Sequence, residues 1–289
     1  MSRLEVRKTY KLYLGGKFPR SESGRSYQVS DAKGGFVANV AQGSRKDARD
    51  AVQAARAAFA GWSAATAYNR GQVLYRVAEV MEGRRAQFVE EVAALEGLSP
   101  AAATSVVDAA IDRWVWYAGW SDKITHLAGG ANPVAGPFFN LSVPEPTGVV
   151  AVLAPQESSL LGLVSVLAPI IVTGNTVVLI SSQDRPLPAV TLAECLATSD
   201  VPGGVVNVIT GRTAEIAEHL AAHADVNGLD LAGAALDQLV PLQVLAAGTL
   251  KRVLAPPPGA PAEDWTAMPG LERMLPFLET KTVWHPKGV

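Results

Sequence analysis

The sequence predicts an α/β fold: an open, mostly parallel sheet preceded by a layer of helices. Three observations carry this. Residues 149–153 and 176–180 are continuous runs of Val, Leu, Ile, Ala and Thr without polar alternation, as strands buried on both faces read. The longer apolar segment between them, 160–172, suits a crossover helix, and Thr173-Gly174-Asn175 supplies the turn that ends it. Strand and helix then keep alternating, which favours a parallel sheet with right-handed crossovers. In such sheets ligands bind beyond the carboxyl ends of the strands. That places residues 154–159, Ala-Pro-Gln-Glu-Ser-Ser, where a site belongs.

In chain order, residues 10–18 alternate around Gly15-Gly16 and read as a hairpin with a tight turn. Ser44 opens a helix with Asp47 at the capping-box position. Ala48, Ala51, Val52, Ala55 and Phe59 share one face of it, and Gly61-Trp62 ends it. Further helices are expected over about 69–83 and 86–95, and a fourth opens at Ser99-Pro100. The fourth carries Trp114, Trp116, Tyr117 and Trp120, read as core packing. Residues 129–144 break the helical pattern with turn formers and hold a strand at 138–143. They form an arm leaving the helical layer. Beyond the central unit come a helix at 186–198, a strand at 205–210, a helix at 214–223 and a strand at 228–231. A helical stretch from 236 runs toward a strand beginning near 251. The run 255–261, Ala-Pro-Pro-Pro-Gly-Ala-Pro, stops regular structure. Residues 280–284 alternate like an exposed strand, to be covered by the same chain or paired with another.

Composition narrows the function. With 289 residues the chain has room for one large or two ordinary domains. A formal net charge of −2 leaves no basic footprint for nucleic acid or anionic membrane. The single cysteine, Cys195, allows no internal disulfide and points to a reducing, cytoplasmic location. The first residues lack the apolar core of a signal peptide, and the longest apolar run is too short to span a bilayer. Cys195 sits mid-helix and reads as a packing residue. His126, His219, His223 and His285 form no trusted metal spacing, and no metal site is expected.

Several stretches together resemble the aldehyde dehydrogenase superfamily. They are Leu14-Gly15-Gly16-Lys17, Phe59-Ala60-Gly61-Trp62, Glu96-Gly97-Leu98-Ser99-Pro100, Tyr117-Ala118-Gly119-Trp120 and Glu145-Pro146-Thr147-Gly148-Val149-Val150. Gly174-Asn175-Thr176-Val177-Val178-Leu179 and Pro202-Gly203-Gly204-Val205-Val206-Asn207-Val208 are the most recognisable. The likeness fades near Val253 and resumes at 279–284. What falls between in the family, its catalytic domain, has no counterpart. The resemblance implies a Rossmann-like cofactor-domain remnant over 1–128 and 145–254. It implies a small β oligomerisation arm over 129–144 and 275–289, and makes 255–274 a short linker in place of the catalytic domain.

The family oxidises aldehydes with NAD or NADP, using a cysteine nucleophile, an asparagine at the oxyanion and a glutamate base. Residue by residue, those roles are vacated here. Glu157 stands at the asparagine position, and a carboxylate cannot donate to an oxyanion. It reads instead as a carboxylate stabilised by a helix N-terminus. Pro256 stands at the base position. Ile180 replaces the lysine that meets the ribose, and Gln183 replaces a ribose-binding carboxylate. Gly211 keeps the first glycine of the pyrophosphate turn with Thr213 at the second, and Gly233 keeps one glycine of a cofactor-contacting loop. From this degraded pocket (Ile180, Gln183, Gly211, Gly233) the expectation is no cofactor, with weak or absent NAD(P) binding. The expected function is a catalytically inactive subunit, structural or regulatory. Its partner would be a full-length aldehyde dehydrogenase or itself, met through Phe138, Leu141, Thr280, Thr282, Val283 and Trp284. The alternatives are a nucleotide-binding module and an aldehyde oxidoreductase active only with a partner's catalytic domain.

Overall fold

The computed structural model describes Leu4 and residues 8–288. Near the amino end Gly15 and Gly16 take positive φ (58° and 79°), and Leu14 and Lys17 exchange two backbone hydrogen bonds across them. The expected tight turn is therefore present, but its arms do not pair further. Tyr13 instead exchanges hydrogen bonds of 2.9 and 2.7 Å with Val208, docking the turn against the central sheet. An antiparallel hairpin follows, β1 (Ser26–Ser30) and β2 (Phe36–Ala41), which the sequence reading passes over. Its turn is held by Asp31, whose Oδ1 accepts from the N–H groups of Lys33 and Gly35.

Ser44 and Asp47 form the full capping box at the start of α1 (Arg45–Ala64), satisfying two donors the helix leaves free. Ala48, Ala51, Val52, Ala55 and Trp62 line its buried face. The helices α2 (Ala67–Gly83), α3 (Arg85–Glu96), α4 (Pro100–Ala118) and α5 (Ile124–Ala128) complete the first layer. Ser99 caps α4, and Pro100 occupies its first turn, where a missing N–H costs nothing. Trp114 and Tyr117 are buried in the core.

The chain then forms β3 (Gly130–Ala131) and β4 (Phe138–Pro146) and enters the parallel sheet at β5 (Val149–Leu153). It continues through α6 (Leu161–Val172), β6 (Thr176–Ile180), α7 (Leu187–Leu196) and β7 (Val206–Ile209). It then crosses α8 (Thr213–Ala222), β8 (Gly228–Asp230), α9 (Leu236–Ala247) and β9 (Arg252–Leu254). The five strands lie in the order β7-β6-β5-β8-β9, all parallel. Strand order reverses at β5, where the chain returns from β7 to the far side of the sheet. Both faces are covered. Val149, Ala151 and Leu153 join the core with α1 and α8, while Val150 and Val152 join the core with α4 and α6. Asn175 locks the turn after α6. Its Oδ1 accepts from the Gly148 N–H at 2.8 Å, and its Nδ2 donates to Thr173 Oγ1 and the Phe277 carbonyl.

Residues 255–274, expected as a short linker, run into 275–277 as a strap packed on the fold. Met274 and Phe277 are buried, and Trp265 and Leu271 pack on the core. Tyr117 Oη donates to the Gly270 carbonyl, and Arg113 donates to the Ala267 carbonyl at 2.6 Å. A short turn of 3-10 helix, Leu275–Phe277, leads into β10 (Leu278–Pro286), which pairs antiparallel with β4 over nine positions. Among the described residues no helix is long and apolar enough to cross a membrane, and no three His, Cys, Asp or Glu side chains gather as a metal site.

Candidate functional site

A cleft of about 380 Å³ opens at the carboxyl ends of the sheet, beside the strand where the order reverses. Four loops line it. Gln156 follows β5, Gln183 and Asp184 follow β6, Thr213 and Ala214 open α8, and residues 233–238 follow β8. Gln156, within the stretch 154–159 expected at the site, braces two of these loops. Its Nε2 donates to the Ala154 carbonyl at 2.7 Å, and its Oε1 accepts from the Gln183 N–H at 2.9 Å.

The sequence-selected residues divide by what they do. Gln183 lies on the cleft with its backbone held, by Gln156 at the N–H and by Tyr27 Oη at the carbonyl. Ile180 does not reach the cleft; it is fully buried in the apolar layer with Val178 and Leu229. Gly211 has φ +144° and meets Gly43 across the loop before α8, which keeps the approach to the helix clear of side chains. Gly233 donates to the Leu153 carbonyl at 2.8 Å, and a Cβ there would fall 1.8 Å from the Ala154 carbonyl oxygen. Its glycine is thus a packing requirement that brings the cleft's wall onto β5. Thr213 carries a further signal: its Oγ1 is buried without a hydrogen-bond partner, at a helix N-terminus with no side-chain cap.

Glu157 is exposed and lies ahead of α6 rather than on its N-terminus. Arg185 grips it, donating to the Glu157 carbonyl at 2.6 Å and pairing with its carboxylate at 2.8 Å. The expected helix-terminus stabilisation is replaced by an ion pair, because Ser158 Oγ takes the Gly162 N–H instead. Pro256 lies outside the cleft, beside Asp230 in a separate cavity. Cys195 is fully buried on α7, and burial pushes its thiol up to about 11, away from the thiolate form a nucleophile needs.

The second candidate surface is the three-stranded sheet β10-β4-β3. The antiparallel register puts the six expected contact residues on two faces. Phe138, Thr280, Thr282 and Trp284 share one, with the Phe138 and Trp284 rings edge to face at 5.8 Å. Leu141 and Val283 sit opposite one another on the other, beside Phe139. Phe139 is 55% exposed, Leu141 48% and Val283 45%, a continuous apolar face open to solvent. The outer edge of β10 has no strand partner among the described residues. Helix α9 also exposes Leu236, Val240 and Val244, one turn apart.

The sequence profile of the aldehyde dehydrogenase family matches residues 18–255. The chain belongs to the aldehyde dehydrogenase family. Among the relatives of this aldehyde dehydrogenase homologue is the cytosolic 10-formyltetrahydrofolate dehydrogenase of Mus musculus, 32% identical over 81% of this chain and 26% of its own length. Another is the D-glyceraldehyde dehydrogenase (NADP(+)) of Thermoplasma acidophilum, 30% identical over 88% of this chain and 52% of its own. The chain thus spans from about a quarter to half the length of these relatives. A solved NAD+ complex of an aldehyde dehydrogenase from Bacillus cereus shares the fold. Its TM-score is 0.80 at 24% identity, over 85% of this chain and 50% of that one.

These comparisons correct the expectation of no cofactor. Relatives and structural neighbours are NAD- or NADP-dependent aldehyde dehydrogenases, several of them solved with NAD+ bound, and the family binds NAD(P). The cleft fits such a group at the turn where Gly211 is kept. The α8 N-terminus with the unpartnered Thr213 hydroxyl and the side-chain-free Gly211 suits a diphosphate. Ile180 is buried away from this part of the cleft, and Gln183 lies on another of its loops.

Proposed function

We propose that this aldehyde dehydrogenase-family chain is a nucleotide-binding subunit without aldehyde-oxidising chemistry of its own. It acts as a structural or regulatory partner of a full-length aldehyde dehydrogenase, or of a second copy of itself. The observation that carries the reading is the β4–β10 sheet. It is paired over its full nine-residue length, with an apolar face and a strand edge turned to solvent, and it closes directly onto the cofactor-domain fold. Glu157 clamped by Arg185, Pro256 outside the cleft and the inert Cys195 support the absence of oxidation. Thr213, Gly211, Gly233 and Gln156 would hold the dinucleotide, whose nicotinamide accepts hydride in oxidation chemistry.

The test has two arms. Native mass measurement after co-expression with a complete aldehyde dehydrogenase should show a mixed or self-associated complex, and deletion of residues 280–289 should abolish it. Calorimetry with NAD+ and NADP+ should show binding to the chain alone, with no aldehyde turnover in the same preparation. A complex that survives the deletion, or aldehyde oxidation by the purified chain, would overturn the assignment.

A further inference from the structure

The turn after β8, residues 231–235, is a wall with two sides. Gly233, Ala234 and Ala235 line the cleft. Asp230 and Ala232 line a second cavity of about 200 Å³, whose other wall includes Pro256, Glu263 and Arg273 of the strap. In the turn itself, the Gly233 N–H reaches the Leu153 carbonyl at 2.8 Å, and the Ala234 N–H returns to the Leu231 carbonyl at 3.0 Å. The Ala232 N–H goes to Asp230, the buried last residue of β8, at 3.0 Å. The second carboxylate oxygen of Asp230 pairs with Arg273 of the strap at 2.9 Å. Arg273 is itself held in place within the strap. Its Nε donates to Glu263 at 3.1 Å, and its guanidinium lies 4.9 Å over the Trp265 ring. The backbone of the strap contributes only local turns, from Ala260 to Pro257 and from Ala267 to Asp264. Its polar anchors to the rest of the fold are side chains: Arg113 on the Ala267 carbonyl, Tyr117 on the Gly270 carbonyl, and Arg273 on Asp230. A segment tied in this way opens more readily than the sheet it covers. Among these anchors of the described residues, the Arg273–Asp230 pair is the one that reaches the cleft wall.

We propose that Asp230 couples the strap to the nucleotide cleft, so that a docked strap and a bound dinucleotide stabilise one another. The ligand in this statement rests on the nucleotide-binding reading above. With the strap docked, one carboxylate is held at both oxygens and presents a fixed acceptor to Ala232. That acceptor helps keep Gly233 seated against β5. With the strap lifted, Asp230 loses its counter-charge, and a carboxylate left buried and unpaired turns toward water. The Ala232 N–H then loses its partner, and the cleft wall holds its binding form for only part of the time. Apparent affinity for a ligand falls by that fraction. Linkage makes the effect reciprocal, so a ligand that needs the formed wall also holds the strap down. Asp230 and Arg273 are positioning residues in this scheme, since neither lines the cleft.

Hydrogen exchange of the full chain, followed by mass spectrometry with and without nucleotide, reads this coupling. In the nucleotide-free chain, Arg273→Gln should lower protection of 256–274 by about tenfold or more and lower that of 229–238 with it, while peptides from β5 and α6 stay level. Arg273→Lys keeps the charge without the fork that spans Asp230 and Glu263, and should fall between. In the native chain, saturating NAD+ or NADP+ should raise protection of the strap about fivefold, and calorimetry on Arg273→Gln should show binding about fivefold weaker. Should the glutamine variant fail to fold, the lysine variant carries the same readouts. A strap that loosens while 229–238 keeps its native protection overturns the proposal. So does a strap indifferent to both variants, or a nucleotide that binds without protecting it. A native chain that binds neither NAD+ nor NADP+ refutes the nucleotide reading instead, and the nucleotide-free comparison still decides whether strap and turn move together.

Discussion

Thr213 lines the cleft, and its hydroxyl is buried without a hydrogen-bond partner. Replacing it with valine removes a hydrogen-bonding group of nearly the same shape. The expected result is a loss of NAD(P) affinity of about fivefold, roughly 1 kcal/mol, with unchanged thermal stability. Calorimetry on Thr213→Val checks this, and an unchanged affinity would place the diphosphate elsewhere. Cys195 makes an opposite prediction. Its burial and raised pKa make it unreactive in the native state at pH 8, so a thiol-labelling reagent should modify it only as the chain unfolds. At this scale the sequence was legible for residue types and not for their reasons. Gly233 could be matched to a cofactor-contacting loop, but the carbonyl of Ala154 that forbids a side chain there lies at the end of β5, far off in the chain. Glu157 could be seen as unable to donate; that Arg185 holds it could not, because the two sit on different loops. Gln156 fell within the stretch 154–159 expected at the site, but its bracing role exists only once β5 and β6 lie side by side.

Among the elements, those stabilised by their own sequence were read best. Val149–Leu153 and Thr176–Ile180 form as expected because parallel strands buried on both faces must be apolar throughout. Helix α1 begins where its capping box says it should. The β1–β2 hairpin was missed, since its strands mix polar and small residues and take their burial from Tyr10, Leu95 and Leu187, far off in the chain. The strap was missed for the same reason: proline runs forbid regular structure but say nothing against packing. Asn175 shows how strongly such distant pieces are tied. Its buried side chain joins the start of β5, the end of α6 and the carbonyl of Phe277. Asn175→Ala would orphan the Gly148 donor and the Phe277 acceptor, and should cost about 2–4 kcal/mol in chemical denaturation. A loss below about 0.5 kcal/mol would mean water replaces those bonds.

For the whole molecule, the family was visible in long motifs that define the framework, whereas the proposed assembly would rest on surfaces that only the folded chain creates. The register of β4 with β10 splits the six expected contact residues between two faces. It makes Phe139, Leu141 and Val283 the apolar one, so Leu141→Asp with Val283→Asp should disrupt association as fully as removing the strand. Native mass measurement of that double variant, with its circular dichroism unchanged, separates loss of an interface from loss of fold. The ion pair between Arg252, on the last parallel strand, and Glu279, on the strand that closes the arm, has a wider consequence. The two backbone ends of the strap are held side by side by the fold itself. Joining two such anchored points with a longer stretch adds little closure entropy, which grows only with the logarithm of length. A folded module whose own termini lie close together could therefore be spliced in at this position without disturbing the sheet on one side or the arm on the other. The short strap and a whole inserted domain are alternative ways of bridging the same gap, which makes this chain a ready host for grafting one.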